Sequence, residues 1–262
     1  MGPAHNMNIK ISPVSTLQDN YVWVIIDSEN KSAIIVDPGE AAPVHQFLTQ
    51  HQLKLKAILI THHHWDHTNG IAELLQHYQV PVFGAKKMET PEITNTVEDG
   101  ANIKLPPFAF DVIAIPGHTL NHIAYYAKGM LFCGDTLFAA GCGRMFEGTP
   151  QQLFHSLQKL AALPDDTNVY CAHEYTLNNL RFAKAVEPHN QKIMEKIEHI
   201  KKIREKQSPS LPSTILDEKE TNPFLRCDSA EIKANVEAHI GKKLNSPLEI
   251  FTELRKWKDI FK

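Results

Sequence analysis

Between residues 21 and 173 the chain repeats one pattern, a short apolar or β-branched run followed by a turn that carries Asp, His or Gly. The runs at 21–26, 33–36, 57–60, 112–115, 130–133 and 169–172 predict strands that end in polar loops. Helical periodicity lies between some of them, at 41–51 and 69–78. A further helix opens at Thr149-Pro150-Gln151-Gln152, where a Thr cap, a Pro at the first helical position and a Gln three beyond the cap form a capping signature. After Glu174 the texture changes to long helical periodicity near 178–186, 189–207, 230–239 and 248–261. Ser208-Pro209-Ser210-Leu211-Pro212-Ser213 breaks this region with a loop, and Ser246-Pro247-Leu248-Glu249 predicts a second capping box. The pattern therefore predicts an α/β domain over 7–174 and an α-helical domain over 175–262. The sequence shows no repeat or low-complexity stretch.

Composition narrows the class. With 262 residues, 42% hydrophobic and 22% charged, the chain can bury a substantial core. A net charge of −3 gives no support for a broad nucleic-acid or membrane surface. Cys133, Cys142, Cys171 and Cys227 are scattered without a Cys-x-x-Cys pair, which suits a reducing compartment. No apolar run reaches the roughly 18 residues of a membrane span, and no basic-then-apolar leader opens the chain, so a cytoplasmic location is expected. Met1 to Asn6, ahead of a second methionine at Met7, read as an addition to the native start.

Four potential metal ligands, His62, His64, Asp66 and His67, fall within six residues directly after the apolar run 57–60. Core packing does not ask for such a cluster. In a turn leaving a strand, His62 and His64 can point to one side while Asp66 and His67 converge on a neighbouring point, so one segment can feed two adjacent metals. His118, Asp135 and His173 follow further apolar runs, in Pro116-Gly117-His118, Cys133-Gly134-Asp135 and Cys171-Ala172-His173. An isolated histidine is more often ordinary surface or core. Ligand types at successive strand ends instead assemble a shared site, because α/β sheets bind ligands where their strands end. Imidazole with carboxylate suits zinc, iron or manganese, and the whole predicts a metal-dependent hydrolase.

The spacing His62-x-His64-x-Asp66-His67, with the later His, Asp and His in order, resembles the H-x-H-x-D-H signature of the metallo-β-lactamase superfamily. Further segments resemble one branch of it, glyoxalase II or hydroxyacylglutathione hydrolase. They are Asp37-Pro38-Gly39, Gly141-Cys142-Gly143-Arg144-Met145-Phe146-Glu147-Gly148, His173-Glu174-Tyr175-Thr176, Asn222-Pro223-Phe224-Leu225-Arg226 and Arg255-Lys256-Trp257-Lys258-Asp259. The resemblance implies an αββα sandwich to about residue 174 and a helical domain over the substrate end. It implies that His62, His64 and His118 bind one metal, that Asp66, His67 and His173 bind the other, and that Asp135 bridges them. The cofactors would be two divalent ions per chain, zinc first, with iron or manganese also suited. The substrate would be S-D-lactoylglutathione, with D-lactate and glutathione as products, the second step of methylglyoxal detoxification. The same resemblance implies a small-molecule glutathione thioester as the partner, no nucleic acid, no membrane, and a monomer.

Two cations held roughly 3.5–4 Å apart can share a water and bring its pKa toward neutrality, which supplies a nucleophile for a thioester carbonyl. Asp66 would combine ligation with proton handling. The resemblance assigns Arg144, Tyr175, Arg255 and Lys258 to glutathione; Arg255 and Lys258, three apart on one helix, share a face and could both reach a carboxylate. Phe146 stands where some relatives carry tyrosine, which removes a hydroxyl from peptide binding. Asp37 is expected to organise its turn, His122 either to support a ligand or to pack, and Cys142 to be a small buried residue rather than a nucleophile. Rival readings within the superfamily are a one-iron persulfide dioxygenase, a lactonase, a β-lactamase and a nuclease. A nuclease would need an extended positive channel, and a non-catalytic binding protein would have no use for the full ligand set.

Overall fold

The apolar runs become strands, two of them buried at every position, in the computed structural model, which describes residues 9–262. The described residues divide into two units, one reaching to Ile113 and including Ile123–Ala127, the other comprising Ala114–His122 and Lys128–Lys262. The expectation about Met1 to Asn6 lies outside the described residues.

In the first unit, β1 (Ile9–Thr16), β2 (Asn20–Asp27), β3 (Ser32–Val36), β4 (Lys54–Leu59), β5 (Val82–Ala85) and β6 (Asn95–Val97) form one sheet in sequence order. β2 and β3 are buried throughout. β1 to β3 are antiparallel, whereas β3 to β6 run parallel. Parallel neighbours need crossovers, supplied between β3 and β4 by α1 (Ala41–Gln50) and between β4 and β5 by α2 (Trp65–Thr68) and α3 (Ile71–His77). Because Val36 pairs with Leu59, the loops leaving β3 and β4 emerge at one edge. Three further strands, β7 (Asn102–Leu105), β8 (Phe108–Ala114) and β9 (Ile123–Ala127), lie side by side in that order. Ile123 N donates to Thr61 O at 3.0 Å and Tyr125 Oη to Ile60 O at 2.8 Å, which ties β9 to the chain leaving β4.

The second unit holds β10 (Met130–Gly134), β11 (Leu137–Phe138), β12 (Gly141–Cys142), β13 (Asn168–Cys171) and β14 (Ser213–Thr214). β10 and β13 are parallel, and β11 and β12 make a short ribbon. Its helices are α4 (Pro150–Ala161), α5 (Thr176–Val186), α6 (Gln191–Glu205), α7 (Ile215–Thr221), α8 (Ala230–Ile240) and α9 (Pro247–Ile260). Thr149 caps α4 with the full reciprocal box. At α9 only half of the expected box forms: Ser246 caps Glu249 N, but the Glu249 carboxylate reaches back to Asn245 N instead. α5 and α6 pack through Leu180, Ala183, Ile193 and Ile200, the burial of each Leu or Ile side chain contributing about 1.5–3 kcal/mol.

The Asn222-Pro223-Phe224 motif acts as a brace. Asn222 Nδ2 donates to Gly141 O at 2.9 Å and Phe138 O at 3.2 Å, while the buried Glu218 carboxylate accepts from Ala140 N at 2.7 Å and pairs with Lys196 at 3.1 Å. Ala140 sits at φ 55°, a left-handed conformation that a residue with a Cβ keeps only when its neighbours hold it there. No helix of the described residues is long and apolar enough to cross a membrane.

Candidate metal centre and substrate cavity

Within the first unit the ligand-rich turn is organised by Asp37, which follows β3. Asp37 adopts φ 54°, and its carboxylate accepts from Thr61 N at 2.8 Å, Thr61 Oγ1 at 2.7 Å and His67 Nδ1 at 3.1 Å. Since the Thr61 hydroxyl donates to Asp37, it accepts from His62 Nδ1, 3.0 Å away. Protons are thereby fixed on Nδ1 of both His62 and His67, which leaves their Nε2 lone pairs available to a metal ion. His62 Nε2 stands 3.2 Å from His64 Nδ1, and His67 Nε2 stands 3.4 Å from Asp66 Oδ2. Asn20 Nδ2 donates to Asp66 Oδ2 at 3.1 Å and to Asp66 O at 3.3 Å. A Cβ at Gly39 would lie 1.8 Å from the Asp66 carbonyl, so glycine is what lets the Asp37 loop approach the ligand turn. Asp66 and His67 belong to the helical turn α2, while Trp65 between the ligands is 65% exposed. His63 lies beside His64 with ring centres 5.2 Å apart.

Within the second unit, His118, Asp135 and His173 converge from three separate strand ends. Each Asp135 oxygen faces one imidazole: Oδ2 lies 3.5 Å from His118 Nε2 and Oδ1 lies 3.3 Å from His173 Nε2. His118 Nδ1 donates to Arg144 O at 2.8 Å, which leaves Nε2 as an acceptor opposite a carboxylate. Two acceptors held face to face fit a divalent cation, and a carboxylate shared between two imidazoles fits a bridging role. His122 Nε2 accepts from Asp135 N at 3.2 Å, so it supports a candidate ligand rather than merely packing. The Tyr175 ring stacks on His173 at 4.7 Å, and Phe138 stands edge-on to both.

A cavity of about 360 Å³ adjoins this second set, lined by His118 and Asp135 and also by Arg144, Phe146, Tyr175, Arg255 and Lys258. Phe146 is 63% exposed and sits edge-on to His118 with ring centres 5.3 Å apart. Lys258 Nζ lies over the rings of Phe182 and Phe261, at 5.3 and 5.9 Å. Burial first, then the nearby positive charges of Arg255, Arg144 and Arg181, bring its pKa down to about 8. Arg255 is buried, with Nη1 donating to Cys142 O at 2.7 Å and Nη2 to Asp259 Oδ1 at 3.0 Å. The expected shared face of Arg255 and Lys258 is present, but Arg255 is already engaged. Cys142 is buried, and desolvation pushes its thiol pKa up, against a nucleophilic role. Asn20 and Phe138 carry no sequence signal of their own, and Asp259, though part of the C-terminal motif, gets its partner Arg144 only from folding.

Residues 16–173 match the family model of the metallo-beta-lactamase superfamily, and residues 174–261 match that of the hydroxyacylglutathione hydrolase C-terminus. A hydroxyacylglutathione hydrolase of Aeromonas hydrophila is 51% identical over 250 residues, 95% of this chain and 98% of that protein. One of Pseudomonas entomophila is 48% identical over 258 residues, 97% of this chain and all of that protein. The crystal structure of ETHE1 from Myxococcus xanthus, 24% identical, covers 95% of this chain and 90% of its own with a TM-score of 0.67. That structure shares the fold, α/β with a C-terminal helical region, and the His and Asp clusters in this superfamily imply divalent metal ions. Identity near one half, sustained along almost the whole length of both chains, leaves a single family: this chain belongs to the hydroxyacylglutathione hydrolases of the metallo-beta-lactamase superfamily.

Proposed function

We propose that the chain hydrolyses S-D-lactoylglutathione, and S-2-hydroxyacylglutathiones generally, to the 2-hydroxy acid and glutathione, the second step of methylglyoxal detoxification. The observation that carries this reading is the cavity that His118 and Asp135 share with the cations Arg144, Arg255 and Lys258. A ligand-bearing wall beside a cationic one suits an electrophile attached to an anionic peptide.

His62, His64 and His118 would hold one divalent ion, Asp66, His67 and His173 a second, and Asp135 would join the two. Zinc suits these donors first, with iron or manganese also compatible. Such ions supply a water that ionises near neutral pH and a Lewis acid for the carbonyl oxygen. Asp66, oriented through Oδ2 by Asn20, would be placed to take the proton of such a water. Hydrolysis would join the water oxygen to the thioester carbon and break the carbon–sulfur bond, with the electron pair leaving on sulfur. A thiolate of pKa about 8.5 departs with little acid assistance. Lys258 and Arg144 meet the peptide carboxylates, Arg255 adds positive charge, and Tyr175 lines the same wall. Phe146 offers an apolar face where a tyrosine would offer a hydroxyl.

The reaction centre is assigned to residues 7–174 and the substrate contacts of the helical region to 175–262. The chain works as a monomer on a small-molecule partner, with no nucleic acid or membrane. Four free, buried cysteines suit the reducing cytoplasm. A panel of S-D-lactoylglutathione, a β-lactam, a lactone and single-stranded DNA tests the reading. Loss of thioester absorbance with release of one thiol per D-lactate is expected, and turnover of another member of the panel without thioester loss would sink it.

A further inference from the structure

The resemblance assigns Arg255 to a glutathione carboxylate, yet its fork is committed within the protein. It is 3% exposed. Nη1 donates to Cys142 O at 2.7 Å with Cys142 Sγ at 3.6 Å, and Nη2 donates to Asp259 Oδ1 at 3.0 Å. The guanidinium carbon lies 5.1 Å from the centre of the Phe224 ring. Nε is buried with no hydrogen-bond partner among the described residues. A hydrogen bond to a charged group contributes about 1.5–3 kcal/mol, so a guanidinium fixed on a ring and bonded through both Nη atoms resists turning toward a ligand.

What Arg255 grips leads straight to the ligands of the second unit. Cys142 continues into Gly143 and Arg144. A Cβ at Gly143 would stand 1.9 Å from Asp135 O and 3.0 Å from His118 Nδ1, so this backbone runs directly against both side-chain bearers. Gly143 N donates to Thr136 O at 3.2 Å, and the Arg144 carbonyl accepts the His118 Nδ1 proton at 2.8 Å. The carbonyl that Arg255 holds is thus two residues from the carbonyl that fixes the tautomer of His118. Asp259 Oδ1 also stands 3.8 Å from Arg144 Nε at the exposed far end of the loop.

We propose that Arg255 is a positioning residue: it clamps the 141–144 loop by its Cys142 carbonyl, with Asp259 as counter-anchor, and so holds His118 with Nε2 turned toward Asp135. The proposal rests on the hydrolase reading above and deepens it, adding a positioning role for Arg255 to the cationic wall of the cavity, where Lys258 has no ion pair among the described residues.

The test compares Arg255→Lys, Arg255→Ala and Asp259→Asn with wild type. Kinetics are measured on S-D-lactoylglutathione and on an aryl thioacetate that lacks the peptide, and metal retention is measured against EDTA. Lysine keeps the charge but not the fork, so a carboxylate reader would be largely rescued and a clamp would not. Arg255→Lys is expected to lower kcat on both thioesters and to weaken metal retention by about 10-fold, as loss of a supporting contact around a ligand typically does. Asp259→Asn should shift both in the same direction by about 3-fold, less than the full loss of such a support. Arg255→Lys that raises only the KM for the glutathione thioester, with metal retention unchanged, overturns the proposal. Circular dichroism checks folding; if the Arg255 variants are unfolded, Asp259→Asn decides, and unchanged metal retention in that variant overturns it. A wild type inactive on the glutathione thioester would instead defeat the hydrolase reading, while the metal-retention comparison would still judge the clamp.

Discussion

The two candidate ligand sets are built in opposite ways. In the first unit the ligands are neighbours in sequence, on one turn after β4, and their support also comes from nearby loops: Asp37 after β3 and Asn20 at the start of β2. In the second unit His118, Asp135 and His173 arrive from three separate strand ends, and their support extends as far as α9 through Arg255. A local cluster needs only one turn and one carboxylate to orient it. A dispersed cluster is only as well placed as the loops that bring it together, and here a glycine loop, a ribbon and the last helix all contribute.

That contrast orders the expected effects of mutation. Asp135→Ala removes the carboxylate that faces both imidazoles of the second set and should lower kcat on the order of 10³-fold, comparable to deleting a principal charge-stabilising group. Steady-state kinetics with metal analysis would check this, and retained turnover would remove the bridging role. Asp37→Ala frees the Thr61 and His67 protons and should weaken metal retention about 10–100-fold, read by chelator competition. An Asp37 effect confined to thermal stability would mean that the local cluster needs no outside orientation.

The smallest effect concerns the cavity. Lys258→Ala should raise the KM for the glutathione thioester about tenfold, the equivalent of one charge-assisted contact of about 1.5 kcal/mol. Its pKa of about 8 gives a pH signature of definite sign. Below that value the ammonium is present and attracts the carboxylate; as pH rises through about 8 the proton is lost and KM climbs. Initial-rate measurements from pH 6.5 to 9.5 should show this limb in wild type and not in the variant. An identical limb in both would assign it to another group.

Much of this was legible in the sequence where information is local. The ligand turn announces itself because packing has no use for four polar ligand types after an apolar strand. The Thr149 box at α4 was legible for the same reason, its partners being three residues apart. β1 escaped because Ser12, Pro13 and Ser15 interrupt its alternation, and it becomes a strand by pairing along all of β2. β9 is a five-residue run too short for periodicity to tell from a buried helical segment, and its place is set by tertiary bonds from Ile123 and Tyr125 to the chain leaving β4. The Ser246 box half-formed because Asn245 N lies within 2.6 Å of the Glu249 carboxylate and takes it. Among site residues, Asn20 has no local signal, since its partner Asp66 is 46 residues away, and the approach of Asp259 to Arg144 is set by helix docking. Arg255 is marked by its motif, but its commitment to Cys142, 113 residues earlier, is written only in the fold.

The central claim, that two dissimilar ligand sets serve one thioester hydrolysis, is tested most directly by metal titration of the stripped chain. Bound metal and S-D-lactoylglutathione hydrolysis would be followed on the same samples. Activity that rises with metal to a plateau at two ions per chain is the predicted result. Full activity at one ion per chain, or thioester hydrolysis that persists without metal, would contradict it.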